Sequence, residues 1–97
     1  MTDEIKSFYS KALHAVSGTF GIDDVFVSNR EESVDARSIL VHILSERGLT
    51  DFQISLLTGL TRQCVNKLKN SVRSRSRKWS YKSSLQQISN ELATESF

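Results

Sequence analysis

Residues 50–70 of the chain read TDFQISLLTGLTRQCVNKLKN, and this stretch predicts two short helices joined by a tight turn. Thr50 and Gln53 form a capping-box pattern, in which each side chain satisfies a backbone N–H group left open at a helix start. Gly59 tolerates a positive φ at the turn, and Thr61 can cap the second helix. We therefore expect one helix between Thr50 and Gly59 and another after Thr61.

The same stretch contains the features of a helix-turn-helix. Ser55 is the small residue that the first helix needs, Leu60 can fill the corner, and Val65 and Leu68 can anchor the second helix. The first helix also carries four apolar residues: Phe52, Ile54, Leu56 and Leu57. Residues 50–73 are therefore predicted to form a central helix-turn-helix. A helical hairpin without a ligand is the alternative.

Apolar residues at helical spacing predict the flanking elements. We expect a first helix over Asp3–Phe20, a short helical turn over residues 22–26, and a long apolar helix from Ser33 to Arg47. A last helix is expected over about residues 80–94, with Ser80 as its cap. Its inward face would consist of Tyr81, Leu85, Ile88 and Leu92.

The whole pattern favours one fold class. The sequence has no proline, no internal repeat and no alternating strand pattern, which predicts an all-α fold. At 97 residues the chain suits one compact core. We therefore expect residues 1–97 to form a single domain of five to six helices.

Charge is distributed unevenly along the chain. Residues 1–51 hold five Lys or Arg and nine Asp or Glu, whereas residues 52–90 hold eight Lys or Arg and no acid. A long stretch without a carboxylate concentrates positive potential and suits a polyanion. The sequence therefore predicts double-stranded DNA as the partner of the helix-turn-helix.

Helical geometry separates two groups of candidate DNA contacts. If Val65, Leu68 and Val72 face the core, a rotation of about 100° per residue puts the polar side chains outside. The residues near the start of the second helix are the candidates for reading base edges: Thr61, Arg62, Gln63 and Asn66. The cations further along are the candidates for contacting the DNA backbone: Lys67, Lys69, Arg73 and Arg75.

Three segments resemble the C-terminal DNA-binding domain of the bacterial replication initiator DnaA, which has a helix-turn-helix of the Trp-repressor type. Residues 36–39 (ARSI) resemble the opening of its long helix, and residues 49–54 (LTDFQI) resemble the start of the next helix. Residues 58–65 (TGLTRQCV) correspond to its recognition-helix opening and keep one Gly and the Val. The resemblance implies that Arg37 enters a minor groove and that Thr50 contacts a phosphate.

Departures from the family limit what the resemblance implies. Thr61, Arg62 and Gln63 occupy the base-reading positions with different chemistry, so the family's target sequence does not carry over. The family has a basic loop before its long helix. The corresponding residues 28–32 contain one cation and two acids, so this chain lacks most of that positive charge. No phosphate-cradling Gly-rich loop with Lys is present. The resemblance implies a stand-alone relative in a bacterial, phage or mobile-element setting.

Catalysis and metal binding find no support in the sequence. His14, His42 and Cys64 lack partners at ligand spacing, and no hydrolase or kinase signature occurs. We therefore expect no enzyme activity, no cofactor, no metal and no small-molecule substrate. The chain also lacks an apolar run long enough for a membrane span and begins without a signal-peptide pattern. This predicts a cytoplasmic, nucleoid-associated protein.

Two alternatives stay open at this point. Trp79 and Tyr81 interleave with Arg77, Lys78 and Lys82, a pattern that fits base stacking on single strands. An aromatic residue beside a helix start more often staples the helix to the core, and we expect this for Trp79. The second alternative is a protein-interaction module, whose acidic first half and basic second half pair with a partner or in a weak homodimer.

Overall fold

The computed structural model describes residues 3–22, 25–26 and 30–95. These residues form five α-helices, which confirms the all-α prediction. Asp23 and Asp24 of the predicted turn at residues 22–26 lie outside the described residues, whereas Val25 and Phe26 lie in a turn. The helices are α1 (Asp3–Phe20), α2 (Glu31–Glu46), α3 (Asp51–Thr58), α4 (Arg62–Arg75) and α5 (Trp79–Glu95).

The second helix is the centre of the fold. Nine of the sixteen residues of α2 are buried, and they point to more than one side of the helix. It packs against α1, α3, α4 and α5, and Ile39, Leu40 and Leu44 have no exposed surface. A helix that is apolar on several sides must be covered on several sides, because exposed apolar surface forfeits the hydrophobic stabilisation. The other four helices are therefore arranged around α2.

The predicted helix ends agree closely with the structure at α1 and α3 and differ at α5. Ser80 is not a cap, because it lies within α5, which begins at Trp79. Only residues 76–78 lie between α4 and α5, and they form a turn. The backbone N–H of Arg77 donates to the carbonyl of Ser74, and that of Lys78 donates to the carbonyl of Arg75. These bonds satisfy two carbonyls at the end of α4 and two N–H groups of the link, so α4 passes closely into α5.

A buried carboxylate joins α2 to the end of α4 and to the link that precedes α5. Asp35 of α2 has only 9% of its side chain exposed. Its Oδ1 accepts from Nη1 of Arg75 at 2.7 Å, and its Oδ2 accepts from Nζ of Lys78 at 2.7 Å. Lys78 also donates to Glu31 at 2.6 Å. Asp35 thus fixes the end of α4 and the approach to α5 against α2, and the two carboxylates raise the pKa of Lys78.

A second polar contact lies one helical turn further along α2. The hydroxyls of Ser38 and Tyr81 are 2.9 Å apart, and the Ser38 hydroxyl also donates to the carbonyl of Leu68 at 3.3 Å. Both side chains are buried, so an unmatched hydroxyl there would cost free energy. Burial raises the pKa of Tyr81, which keeps the hydroxyl in its neutral form at physiological pH.

We predict that Asp35→Asn lowers the free energy of unfolding by about 2–3 kcal/mol, because two partly buried cations lose their shared charge partner. Glu31→Gln is the matched control, since the Glu31 side chain is 73% exposed and an exposed ion pair contributes less than about 1 kcal/mol. Urea denaturation followed by circular dichroism measures both. Equal losses for the two variants would show that Asp35 does not join the helices as described.

Candidate nucleic-acid interface

The turn between α3 and α4 is held by local hydrogen bonds. Gly59 has a φ of 78°, in the left-handed region that favours glycine, and its N–H donates to the Ser55 carbonyl. The Ser55 hydroxyl reaches across the turn and donates to the carbonyl of Leu60 at 2.5 Å. The Thr58 hydroxyl accepts from the N–H of Leu60 at 3.2 Å. The turn therefore has a defined geometry, and Gly59 and Ser55 have the predicted positions.

Threonine side chains begin both helices of this unit. Thr50 accepts from the N–H of Gln53 at 3.2 Å, and the Gln53 side chain accepts from the N–H of Thr50 at 2.9 Å, which completes the predicted capping box. Thr61 accepts from the N–H of Cys64 at 3.1 Å. Both threonines are exposed, but each already has a structural function as an N-cap. Their contacts with DNA stay predictions.

The inner face of α4 attaches the helix to the core. Val65 is fully buried and Leu68 is 7% exposed, as the anchor positions require, while Cys64 and Val72 are partly buried. The partner surface is chiefly α2, against which α4 packs, together with α3. Burial of this inner face leaves the opposite side of α4 to solvent.

We call the exposed side of this helix the α4 face. Its members are exposed polar residues, and none is a carboxylate: Arg62, Gln63, Asn66, Lys67, Asn70, Arg73 and Ser74. At about 100° per residue they form one continuous stripe roughly 140° wide. The amide of Asn70 donates to Oδ1 of Asn66 at 3.1 Å, which orients both side chains. Gln63, Lys67 and Arg73 have no side-chain hydrogen bond or ion pair with the described residues.

Two of the predicted backbone-contacting cations are already paired within the chain. Nζ of Lys69 lies 2.8 Å from Oδ1 of Asp51 in α3, and Arg75 pairs with Asp35. Lys69 also holds the pKa of the Asp51 carboxyl below its usual value, so the acid is ionised at neutral pH. Charge counting along the sequence missed these pairs, because the acids belong to the acidic first half. Lys69 and Arg75 therefore stabilise the fold.

Arg37, the candidate outside the helix-turn-helix, also has an internal contact. Its Nε donates to the carbonyl of Val25 at 2.6 Å, which ties the segment at residues 25–26 to α2. The side chain is partly buried. The structure thus assigns Arg37 a packing function, and its entry into a minor groove stays a prediction.

The outer side of α3 carries two exposed apolar side chains. Phe52 is 55% exposed and Leu56 is 60% exposed, whereas Ile54 is fully buried. Eight residues with apolar side chains on several sides have no single periodic stripe, so the pattern could not show which side faces inward. The guanidinium of Arg62 lies 5.9 Å from the centre of the Phe52 ring. An aromatic side chain therefore borders the start of the α4 face.

Trp79 is a second correction. It is 80% exposed, so the expectation that it staples α5 to the core is wrong. Tyr81, two residues later, is buried instead and fills the inward position. Because α5 begins at Trp79 rather than after it, the ring projects from the first turn of the helix on the side away from Tyr81.

Within residues 3–22, 25–26 and 30–95, no group of three or more His, Cys, Asp or Glu is arranged to hold a metal ion. None of the described helices is both long enough and apolar enough to cross a membrane. The α4 face, with its amides and cations, is the strongest candidate site.

No protein-family model, no curated protein and no solved structure matches this chain.

Proposed function

We propose that this protein binds double-stranded DNA through the α4 face, with α3 and α4 acting as a helix-turn-helix. The observation that carries the proposal is the composition of that face, in which cations and amides are exposed without any carboxylate. Cations attract the phosphates, and the amides of Asn and Gln can form paired hydrogen bonds with adenine in the major groove.

Position along the helix suggests separate functions for the residues. Gln63 and Asn66 lie in the first turns of α4, which reach deepest into a groove in this class of motif. Lys67 and Arg73 lie at the edge and the far end of the α4 face and suit phosphates. We leave Lys69 and Arg75 out of the DNA-contacting set, because contact with DNA would require each to break an internal ion pair.

The resemblance to the DnaA C-terminal domain extends the proposal. It suggests Arg37 and Thr50 as further DNA contacts, and it supports a function as a DNA-binding regulator of replication or transcription. Under this proposal the protein acts on DNA in the cytoplasm, at the nucleoid.

A protein-interaction module is the second candidate function. The exposed Phe52 and Leu56 favour it, since they lie one turn apart on the same side of α3. The pairing of acidic and basic halves between two copies is less favoured, because Asp35 and Asp51 already bind cations of their own chain. Failure to bind duplex DNA at low salt would favour protein interaction over DNA binding as the function.

We predict a steep salt dependence for binding to a random-sequence duplex, measured by fluorescence anisotropy. Three exposed cations of the α4 face, without an ion pair in the described chain, can meet phosphates: Arg62, Lys67 and Arg73. At about 0.9 per phosphate, the slope of log K against log salt is roughly −2.7, or a loss of about 40-fold from 50 to 200 mM salt.

Arg73→Ala should make this slope shallower by about 0.9 and weaken all duplexes alike. Lys11→Ala is the matched control, because it removes one exposed cation from α1, which packs against α2 and α5. The control should retain the wild-type slope. Absence of binding at about 50 mM salt would contradict the proposal.

Gln63→Ala should flatten the preference among sequences. Loss of one bidentate contact with a base removes about 1–3 kcal/mol of discrimination at one base pair. Selection from a randomised duplex library, performed with the wild type and the variant, measures the change. An unchanged preference would show that Gln63 does not read bases.

A further inference from the structure

The outer side of α5 presents an aromatic ring to solvent among cations and amides. Trp79 is the only tryptophan in the sequence, and 80% of its surface is exposed. An indole buries a large apolar area when it packs, so this exposure leaves much stabilisation unrealised in the isolated chain. The face of such a ring is a surface on which another flat ring can stack.

A shallow depression adjoins this ring, and its six lining residues all belong to α5: Trp79, Lys82, Ser83, Gln86, Gln87 and Asn90. The other five are spaced three, four, seven, eight and eleven residues from Trp79, so all six follow one stripe of the helix. They provide an aromatic ring, a cation, a hydroxyl and amides, without a carboxylate. The amide of Gln86 donates to Oδ1 of Asn90 at 3.2 Å, which orients the far end.

Positive charge lies on both sides of the ring. Arg77 precedes it by two residues and Lys82 follows it by three, and both are exposed without an ion pair in the described chain. Lys78 lies between them but is bound to Asp35 and Glu31. The network at Asp35 therefore takes one cation out of this cluster and leaves two beside the indole for anionic groups.

We propose that Trp79 and the adjoining depression bind an unpaired nucleobase. The indole stacks on the base, the amides meet its edge, and Arg77 and Lys82 contact the flanking phosphates. The ligand must be single-stranded at this point, since the bases of a duplex already stack on each other and show only their edges in the grooves.

Trp79 lies close in the chain to the end of the α4 face. Trp79 follows Arg73 by six positions, which is roughly 9–12 Å of helical chain across the hydrogen-bonded link between α4 and α5. A strand that leaves a duplex bound on the α4 face can reach the indole. This relation depends on the proposed function, whereas the base site alone does not. Together the two sites select a duplex with a single-stranded end.

The first experiment titrates the protein with oligothymidylate and records its tryptophan fluorescence, which arises from Trp79 alone. We expect quenching as the base stacks. In anisotropy measurements with a labelled oligothymidylate, Trp79→Ala should weaken binding about 5- to 150-fold, the equivalent of ~1–3 kcal/mol for one stacked base. Trp79→Phe should retain most of the affinity, because it keeps an aromatic face.

Phe52→Ala is the matched control, since Phe52 is the other strongly exposed aromatic side chain among the described residues and lies on α3. It should leave oligothymidylate binding unchanged. Unchanged tryptophan emission at saturating oligothymidylate would overturn the proposal. So would concentration-dependent self-association that Trp79→Ala abolishes, because the ring would then be a contact between two copies of the chain.

The second experiment compares a blunt duplex with the same duplex carrying a thymidine overhang. Tighter binding of the overhang duplex, with the gain lost in Trp79→Ala and the blunt duplex unaffected, supports both sites. Equal binding of the two duplexes overturns the relation between the sites. Quenching by oligothymidylate without binding of the blunt duplex supports the base site and contradicts the function proposed for α4.

Discussion

The attachment of α4 to α2 determines which side chains of the protein can meet a ligand. Val65 and Leu68 bury the inner face of α4, and the Ser38 hydroxyl of α2 binds the Leu68 carbonyl in the same contact. Because this contact fixes the rotation of α4 about its axis, helical geometry determines whether each other residue of α4 faces the core or the solvent. The N-cap at Thr61 and the Asp35 network fix its two ends. The α4 face is therefore presented by a rigid helix, which suits a surface that must match a groove.

Internal ion pairs then determine which charges remain available. Asp51, Asp35 and Glu31 bind three of the eight cations of the basic stretch: Lys69, Arg75 and Lys78. Each pair crosses from the acidic half of the sequence to the basic half. The pairs thus hold the helices together and also concentrate the remaining positive charge on the α4 face and around Trp79. Stability and binding depend on the same partition of charge.

Much of the fold could be predicted from the sequence because its signals are local. The capping box at Thr50, the glycine at the turn and the anchors Val65 and Leu68 all depend on residues within a few positions of each other. The ion pairs could not be predicted in this way, since Asp35 and Arg75 are forty residues apart. Such pairs form only where the fold brings two helices together, and a short sequence pattern does not show which helices are neighbours.

The exposure of individual side chains also depends on packing that a local sequence pattern does not show. In α3 the sequence offers apolar residues on several sides, and only the packing against α2 and α4 shows that Ile54 is inside while Phe52 is outside. At Trp79 the prediction failed because α5 begins one residue earlier than expected, which moved the ring from a stapling position to the outer side. A shift of one residue turns a side chain by about 100° and so decides between core and surface.

The central claim is that the α4 face contacts duplex DNA. The most direct measurement is a titration of ¹⁵N-labelled protein with a blunt duplex, followed by the chemical shifts of the backbone amides. We predict small changes along α1 and the largest changes on the α4 face, at Arg62, Gln63, Asn66, Lys67 and Arg73. Changes concentrated on α1, or no changes at low salt, would contradict it.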